Sequence, residues 1–237
     1  MNNEFDKLLL LNKKIPTIDL PKIQENFNFI NSDLVEVSTS SGLIIDLQYL
    51  KLGMDNATQK CFVRREVLKK LLKAKEYLPK ELTFKILDAY RPLSLQKELY
   101  YKYKEKIITE FNLKKMTIEE QDHFINRYVS IPEENEKLAP LHTTGGAIDL
   151  ILTNLNTGED LEFGIPFDSF SYLTRTDAFE RDNMNEEIRN NRRILYNSMI
   201  EAGFTNYPSE YWHFDYGNKN WAYYKNKPIM YKGIFNL

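Results

Sequence analysis

The chain has a single cysteine in 237 residues, Cys61, and therefore no pair from which an internal disulfide could form. A fold without staples has to rest on its core, and nothing here is built for an oxidising compartment. Long apolar runs are missing too. The leucines at 8–11 are followed at once by Asn12, Lys13 and Lys14, well short of a signal peptide's apolar stretch or of the roughly 20 residues a membrane span needs. These absences point to a cytoplasmic protein that does not engage a membrane. Charge of one sign is also lacking: 32 basic against 34 acidic residues leave a formal charge of -2. No global field recruits a polyanion, which excludes nucleic acid as the expected partner. Neither a repeat of solenoid length nor a low-complexity tract is present.

What is present is ordinary globular composition, 42% apolar and 28% charged, far from the balance that marks disorder. The length fits one domain spanning 1–237, with 1–60 as an N-terminal extension of it. Val67, Leu68, Leu71, Leu72 and Ala74 recur near one face of the segment Arg64 to Leu78, predicting an amphipathic helix that ends before Pro79. Thr83 to Leu87 alternates as a strand and runs into a turn at Arg91 and Pro92, after which Ser94 is placed to cap a helix. Residues 102–131 favour helix, and 131–135 reads as a surface loop. Ala147 to Leu152 is β-rich. A turn over Asn154 to Gly158 predicts a hairpin that returns through Asp160 to Phe163. Asn185 to Gly203 has a helical pattern with a glycine stop, and Tyr211 to Tyr216 reads as a last strand.

Histidine is scarce, with His123, His142 and His213 the whole supply. His142 stands at the entry to a turn through Gly145 and Gly146, and Asp149 interrupts an otherwise apolar strand. An unpaired carboxylate buried there costs several kcal/mol or is forced neutral, so Asp149 calls for a nearby cation. One zinc ion held by His142, Asp149 and His213 would supply it and leave a fourth position open, as in catalytic zinc sites. Attack by a bound water still needs a base, and Glu210, three residues before His213, is the candidate. An odd spacing on a regular strand would send the two side chains to opposite faces, so this reading requires a bend at Ser209 to Tyr211. The oxyanion of amide hydrolysis wants a fixed positive donor, and Arg91 can provide it.

The motif Asp88-Ala89-Tyr90-Arg91-Pro92, the spacing from His142 to Asp149 and the pair Glu210 and His213 resemble, in order and type, the pattern of D-alanyl-D-alanine dipeptidases of the VanX type. Pro166-Phe167-Asp168 and the helix from Arg192 to Gly203 resemble further segments of that family, so the likeness runs from Cys61 to Phe214. The resemblance implies an α+β fold, a mainly antiparallel sheet with helices packed on one side and a single zinc site in a cleft. That fold is shared with peptidoglycan D,D-carboxypeptidases and the Hedgehog domain. It also implies zinc-dependent hydrolysis of a small dipeptide such as D-alanyl-D-alanine, with Glu210 and Arg91 catalytic. Asp168, on the substrate ammonium, and Asp88 and Tyr90 are the expected substrate-binding residues. Three departures bear on specificity: Pro140 replaces a usual serine two residues before the first zinc histidine, Ala89 a glycine, and Tyr211 a tryptophan.

Plainer roles stand beside these. Asp149 can pair with a basic side chain, Glu210 can be a solvated turn residue, Arg91 can brace Asp88, and Asp168 can close an Asx turn. His123 reads as surface, Cys61 as a structural thiol, Gly145 and Gly146 as backbone turn, and Trp221, Tyr223, Tyr224 and Tyr231 as cover for the core. Two other functions share the pattern: a peptidoglycan carboxypeptidase or endopeptidase on longer stem peptides, and a zinc-stabilised binding module without turnover.

Overall fold

The computed structural model describes residues 10–22, 24–181 and 184–235. Half of the leucine run at 8–11 lies outside them. No helix among the described residues is long and apolar enough to cross a membrane. The strands are β1 (Leu34–Glu36), β2 (Ile44–Ile45), β3 (Phe62–Arg64), β4 (Leu82–Asp88), β5 (Ala147–Asn154), β6 (Thr205–Asn206) and β7 (His213–Asp215). The main sheet has the order β2-β4-β5-β7-β6, antiparallel except for the β2-β4 edge pair, and β1 with β3 forms a separate antiparallel ladder. The α-helices are α1 (Gln48–Lys51), α2 (Arg65–Glu76), α3 (Leu93–Glu110), α4 (Ile118–Ile125), α5 (Glu186–Glu201) and α6 (Lys219–Lys225). This is the α+β architecture expected, built on a mainly antiparallel sheet.

Alternation along the strands decides where the core lies. Ile148, Leu150 and Leu152 of β5 share one face with Phe84 and Ile86 of β4 and Phe214 of β7, and they pack against Val67, Leu71 and Ala74 of α2 and Leu195 and Met199 of α5. Each of these side chains larger than alanine, fully buried, contributes about 1.5–3 kcal/mol relative to exposure. The intervening residues of β5 and β7, Asp149 and His213 among them, turn to the opposite face. A second apolar cluster, formed by Leu95, Leu99 and Ile107 of α3, Ile125 of α4, Tyr49 and Met54, touches Phe167 and Phe170 and borders the polar side.

Several local expectations are corrected. Helix α3 starts at Leu93 directly behind Pro92, and no side chain caps it, so Ser94 lies inside the first turn. The helical stretch after 102 breaks at Phe111 and Asn112, where Asn112 takes a left-handed φ of 52°, and resumes as α4 behind the capping box of Thr117 and Glu120. No return strand forms over 160–163 beyond a single bridge between Thr153 and Asp160. The carbonyls of Glu162 and Phe163 are taken by Asn191 and Arg192 of α5, which pull the segment off the sheet. The last strand is shorter than expected, because 211 and 212 belong to a turn.

The N-terminal segment is tied to α5. Asn197 donates to the carbonyls of Leu10 and Lys13, both at 2.8 Å, and Arg193 donates to that of Leu11. Trp221 and Tyr231 are buried, while Tyr223 and Tyr224 are half-buried. His123 is exposed on α4.

Candidate active site

Three elements deliver the candidate ligands. His142 opens a 3-10 turn that ends at Gly145, whose φ of 70° suits glycine; a Cβ there would meet Leu34 Cδ2 at 2.5 Å. Asp149 lies on β5 directly opposite His213 on β7, a cross-strand pair whose side chains share a face. A bulge in β4 adds a fourth polar group. The register passes from Ile86 opposite Leu150 to Asp88 opposite Asp149, so the extra residue turns Asp88 to the side of Asp149.

Among the described residues, His142, Asp149 and His213 form the group able to hold a metal, with all ligand atoms within 4.8 Å of one another and all three side chains buried. His142 Nδ1 lies 2.7 Å from the Ala89 carbonyl, which only an N–H there can satisfy, and this leaves Nε2 as a lone pair. His213 Nε2 faces Asp215 Oδ1 at 3.0 Å, which leaves Nδ1 as the second lone pair. These two nitrogens stand 3.2 Å apart, and Asp149 oxygens lie 3.4 Å from His142 Nε2 and 3.0 Å from His213 Nδ1. Asp149 Oδ1 is buried and makes no aligned hydrogen bond despite that proximity. Acceptors converging without a proton between them repel, and a cation removes the conflict. Two ligands on a tetrahedral zinc at 2.0–2.1 Å stand roughly 3.3 Å apart, so the donor set fits zinc in type and in spacing.

The surrounding charges favour positive charge at this point, whether a metal ion or a proton on the His213 ring. Burial pushes the Asp149 carboxyl up, but the His142 and His213 rings outweigh it and hold it well below the usual carboxylate range. Burial would lower His213, yet Asp215 and Asp149 together draw positive charge toward the ring and raise it. Asp215 is fully buried and held from behind by Asn218 and Asn220.

The bend required before His213 is present. Glu210 N–H donates to the Tyr207 carbonyl and His213 N–H to that of Glu210. Glu210 Oε2 thereby comes to 3.8 Å from His213 Nδ1, on the same side. Its side chain keeps 22% exposure and lines a cleft of about 160 Å3 together with Asp168, Trp212, Tyr128 and Arg127. Burial pushes the Glu210 carboxyl up to about 8, opposed by His213 and reinforced by Asp149 and Asp168. A cation on the three ligands would bring it down again.

Arg91 is buried and fixed on three sides. Its Nε and Nη2 donate to Asp88 Oδ2 at 3.0 and 2.7 Å, Nη1 donates to Gln96 Oε1 at 2.8 Å, and the guanidinium lies 4.9 Å from the centre of the Tyr49 ring. Burial works against its charge, but Asp88, Tyr49 and Asp149 together outweigh burial and the group stays firmly protonated. The same contacts brace the turn and immobilise the guanidinium. Asp88 is accordingly spent on Arg91, with its Oδ2 also 3.4 Å from His142 Nδ1, and it supports the site without facing the cleft wall.

Asp168 adopts a left-handed φ of 63° and accepts from Tyr103 at 2.5 Å and Tyr49 at 3.4 Å, so its carboxylate bonds to α3 and α1 and closes no Asx turn. Burial pushes it up, and the Tyr103 hydroxyl opposes the rise. Tyr90 does not join this group. It is 2% exposed and its hydroxyl donates to the Ile234 carbonyl at 2.8 Å, tethering the C-terminal segment. Pro140 is buried behind His142 and offers only its carbonyl, which Thr143 N–H uses. Sequence reasoning missed Asp215, although its place two residues after His213 on a strand puts both on one face. It also missed Tyr49, Tyr103 and Gln96, which carry no local signal.

A family model described as D-ala-D-ala dipeptidase matches residues 43–231. A D-alanyl-D-alanine dipeptidase of Synechocystis sp. is 30% identical over 196 residues, covering 76% of this chain and 79% of the relative. Among solved structures, a vancomycin-resistance D,D-pentapeptidase VanY in complex with Zn(II) has 13% identity and a TM-score of 0.45, covering 89% of this chain and 95% of its own. An LD-carboxypeptidase, LdcB, has 19% identity and a TM-score of 0.39, covering 89% and 82%. Likeness at these scores adds no weight to the reading of the site.

Proposed function

Since the chain belongs to the D-ala-D-ala dipeptidase family and is thereby a zinc metallopeptidase acting on D-Ala-D-Ala or a related D,D-peptide, we propose that its own substrate is the free dipeptide D-alanyl-D-alanine. The observation that carries the proposal is the meeting of His142, Asp149 and His213 around one point with Glu210 Oε2 3.8 Å from His213 Nδ1. The cleft, at about 160 Å3, is small beside the 300–1,000 Å3 of ordinary ligand pockets, which favours a dipeptide over a stem peptide.

In this reading His142, Asp149 and His213 hold one zinc per chain. Zinc, when bound, acts as a Lewis acid that brings the pKa of a coordinated water from 15.7 toward about 7. The Glu210 carboxylate takes the proton released as water attacks the peptide carbonyl, then returns it to the leaving amine nitrogen. Arg91, immobilised by Asp88 and Gln96, faces the negative charge that develops on the carbonyl oxygen and needs no reorganisation to do so. Asp168 holds the substrate ammonium, its orientation set by the two tyrosine hydroxyls. A cytoplasmic place of work belongs to the same proposal, supported by the lone, buried Cys61.

The test is turnover of D-Ala-D-Ala, L-Ala-L-Ala, N-acetyl-D-Ala-D-Ala and a stem pentapeptide by zinc-loaded protein, with a chelated control. Metal-dependent cleavage confined to the free D,D-dipeptide is expected. Faster cleavage of the pentapeptide would replace the proposal by a carboxypeptidase, and tight zinc binding with no cleavage at all by a binding module.

A further inference from the structure

The cleft beside Glu210 carries a charge that the reading above leaves unused. A free dipeptide is a zwitterion, and recognition of both ends requires a fixed cation as well as Asp168. The serine that the resemblance leads one to expect before His142 is Pro140, which has no hydroxyl to offer a carboxylate. Arg91, held by Asp88 and Gln96, is assigned above to the carbonyl oxygen and so is not available to the carboxylate as well. Two other arginines line the cleft, Arg127 and Arg175. Arg175 is spent on Asp177, with Nε and Nη2 at 3.1 and 3.4 Å from its two oxygens.

Arg127 is different. It follows α4 at the cleft wall, its guanidinium lies 5.5 Å from the centre of the Phe124 ring, and no carboxylate of the described residues lies within ion-pair reach. The ring restricts the guanidinium without consuming its donors, which are arranged to take a carboxylate with two parallel hydrogen bonds. We infer that Arg127 is the specificity-determining residue for the C-terminal carboxylate of the substrate, in the same cleft as the ammonium partner Asp168. The segment between α3 and His142 thereby acts as the gauge of a free C-terminus. The inference rests on the dipeptide reading of the site.

The experiment compares D-Ala-D-Ala with D-Ala-D-alaninamide, which lacks the carboxylate charge, in the zinc-loaded wild type and in Arg127→Gln and Arg127→Lys proteins. Loss of a charge-assisted bidentate contact is worth on the order of 10- to 100-fold. Arg127→Gln is expected to raise KM for the acid by that factor with kcat little changed and KM for the amide unmoved, and Arg127→Lys should recover part of the loss. Equal effects on acid and amide, or none on either, overturn the inference. Calorimetric binding of the same two ligands to zinc-loaded Glu210→Ala protein, with and without Arg127→Gln, separates the two readings. Arg127-dependent binding of the acid without turnover by the wild type would sink the dipeptidase proposal and keep this one. Binding of the acid that ignores Arg127, or no binding of either ligand, sinks this one.

Discussion

Asp215 stands directly behind His213, with Oδ1 3.0 Å from the ring's Nε2, while the same ring's Nδ1 faces Asp149 Oδ1 at 3.0 Å. One imidazole is thus held between two carboxylates that do different work. In the proposed metal site Asp149 would share the cation, and Asp215 would fix the tautomer and orientation that leave Nδ1 free to bind it. Asp215→Ala should therefore weaken zinc binding by roughly 10- to 100-fold, measured by competition with a chromophoric chelator. Unchanged affinity would show that β7 packing alone orients the ring.

The roles proposed for Glu210 and His213 separate metal binding from catalysis. Glu210→Ala is expected to retain zinc stoichiometrically and lose about 10²- to 10⁴-fold in kcat, whereas His213→Ala should lose the metal as well. Metal analysis by atomic absorption beside the rate assay decides it. Near-normal turnover in Glu210→Ala would assign the base elsewhere.

The pair of Glu180 and Arg193 predicts how acid acts on the fold. Burial raises the Glu180 carboxyl, but the Arg193 hydrogen bonds and the Ile15 N–H outweigh it, and its pKa falls below the usual range. A carboxyl depressed in the folded state binds fewer protons than in the unfolded chain. Its stabilisation is present above about pH 4.3, the unfolded value, and is lost as pH falls through the folded one. Both side chains are nearly buried, so Glu180→Gln should cost about 2 kcal/mol at pH 7, lowering Tm by several degrees, and the gap should close below about pH 4. Thermal melts at both pH values test this, and a gap that is the same at pH 3 and pH 7 contradicts it.

Cys61 is 2% exposed, and burial, helped by Asp88, pushes its thiol up to about 12. The nucleophile is the thiolate, so the native protein should resist iodoacetamide at pH 8 and react once denatured. Mass spectrometry of the intact chain reads the result, and rapid labelling of folded protein would place Cys61 in an accessible environment.

What could be read from the chain were features encoded over short distances. The apolar spacing of Val67, Leu71 and Ala74 predicted α2, with Leu72 left at 36% exposure on its edge. Asn185, whose side chain accepts from Ile188 N–H, and Gly203 bracketed α5. The isolated acid at Asp149 asked for a cation, and the odd spacing of Glu210 and His213 demanded the bend that is present.

The rest depended on partners far along the chain. Tyr90 sits within the arginine motif but points to Ile234, 144 residues on, because its ring is needed in the interior. Asp168 is fixed by Tyr103 and Tyr49, 65 and 119 residues away, and no local pattern announces such a bond. The β4 bulge that turns Asp88 toward His142 follows from register across the sheet. Propensity and periodicity act through neighbours within a few residues, so they settle which elements form and which residues carry charge into them. Which of those charges face one another is decided by packing, since burial forces each polar atom to find a partner wherever the fold brings one.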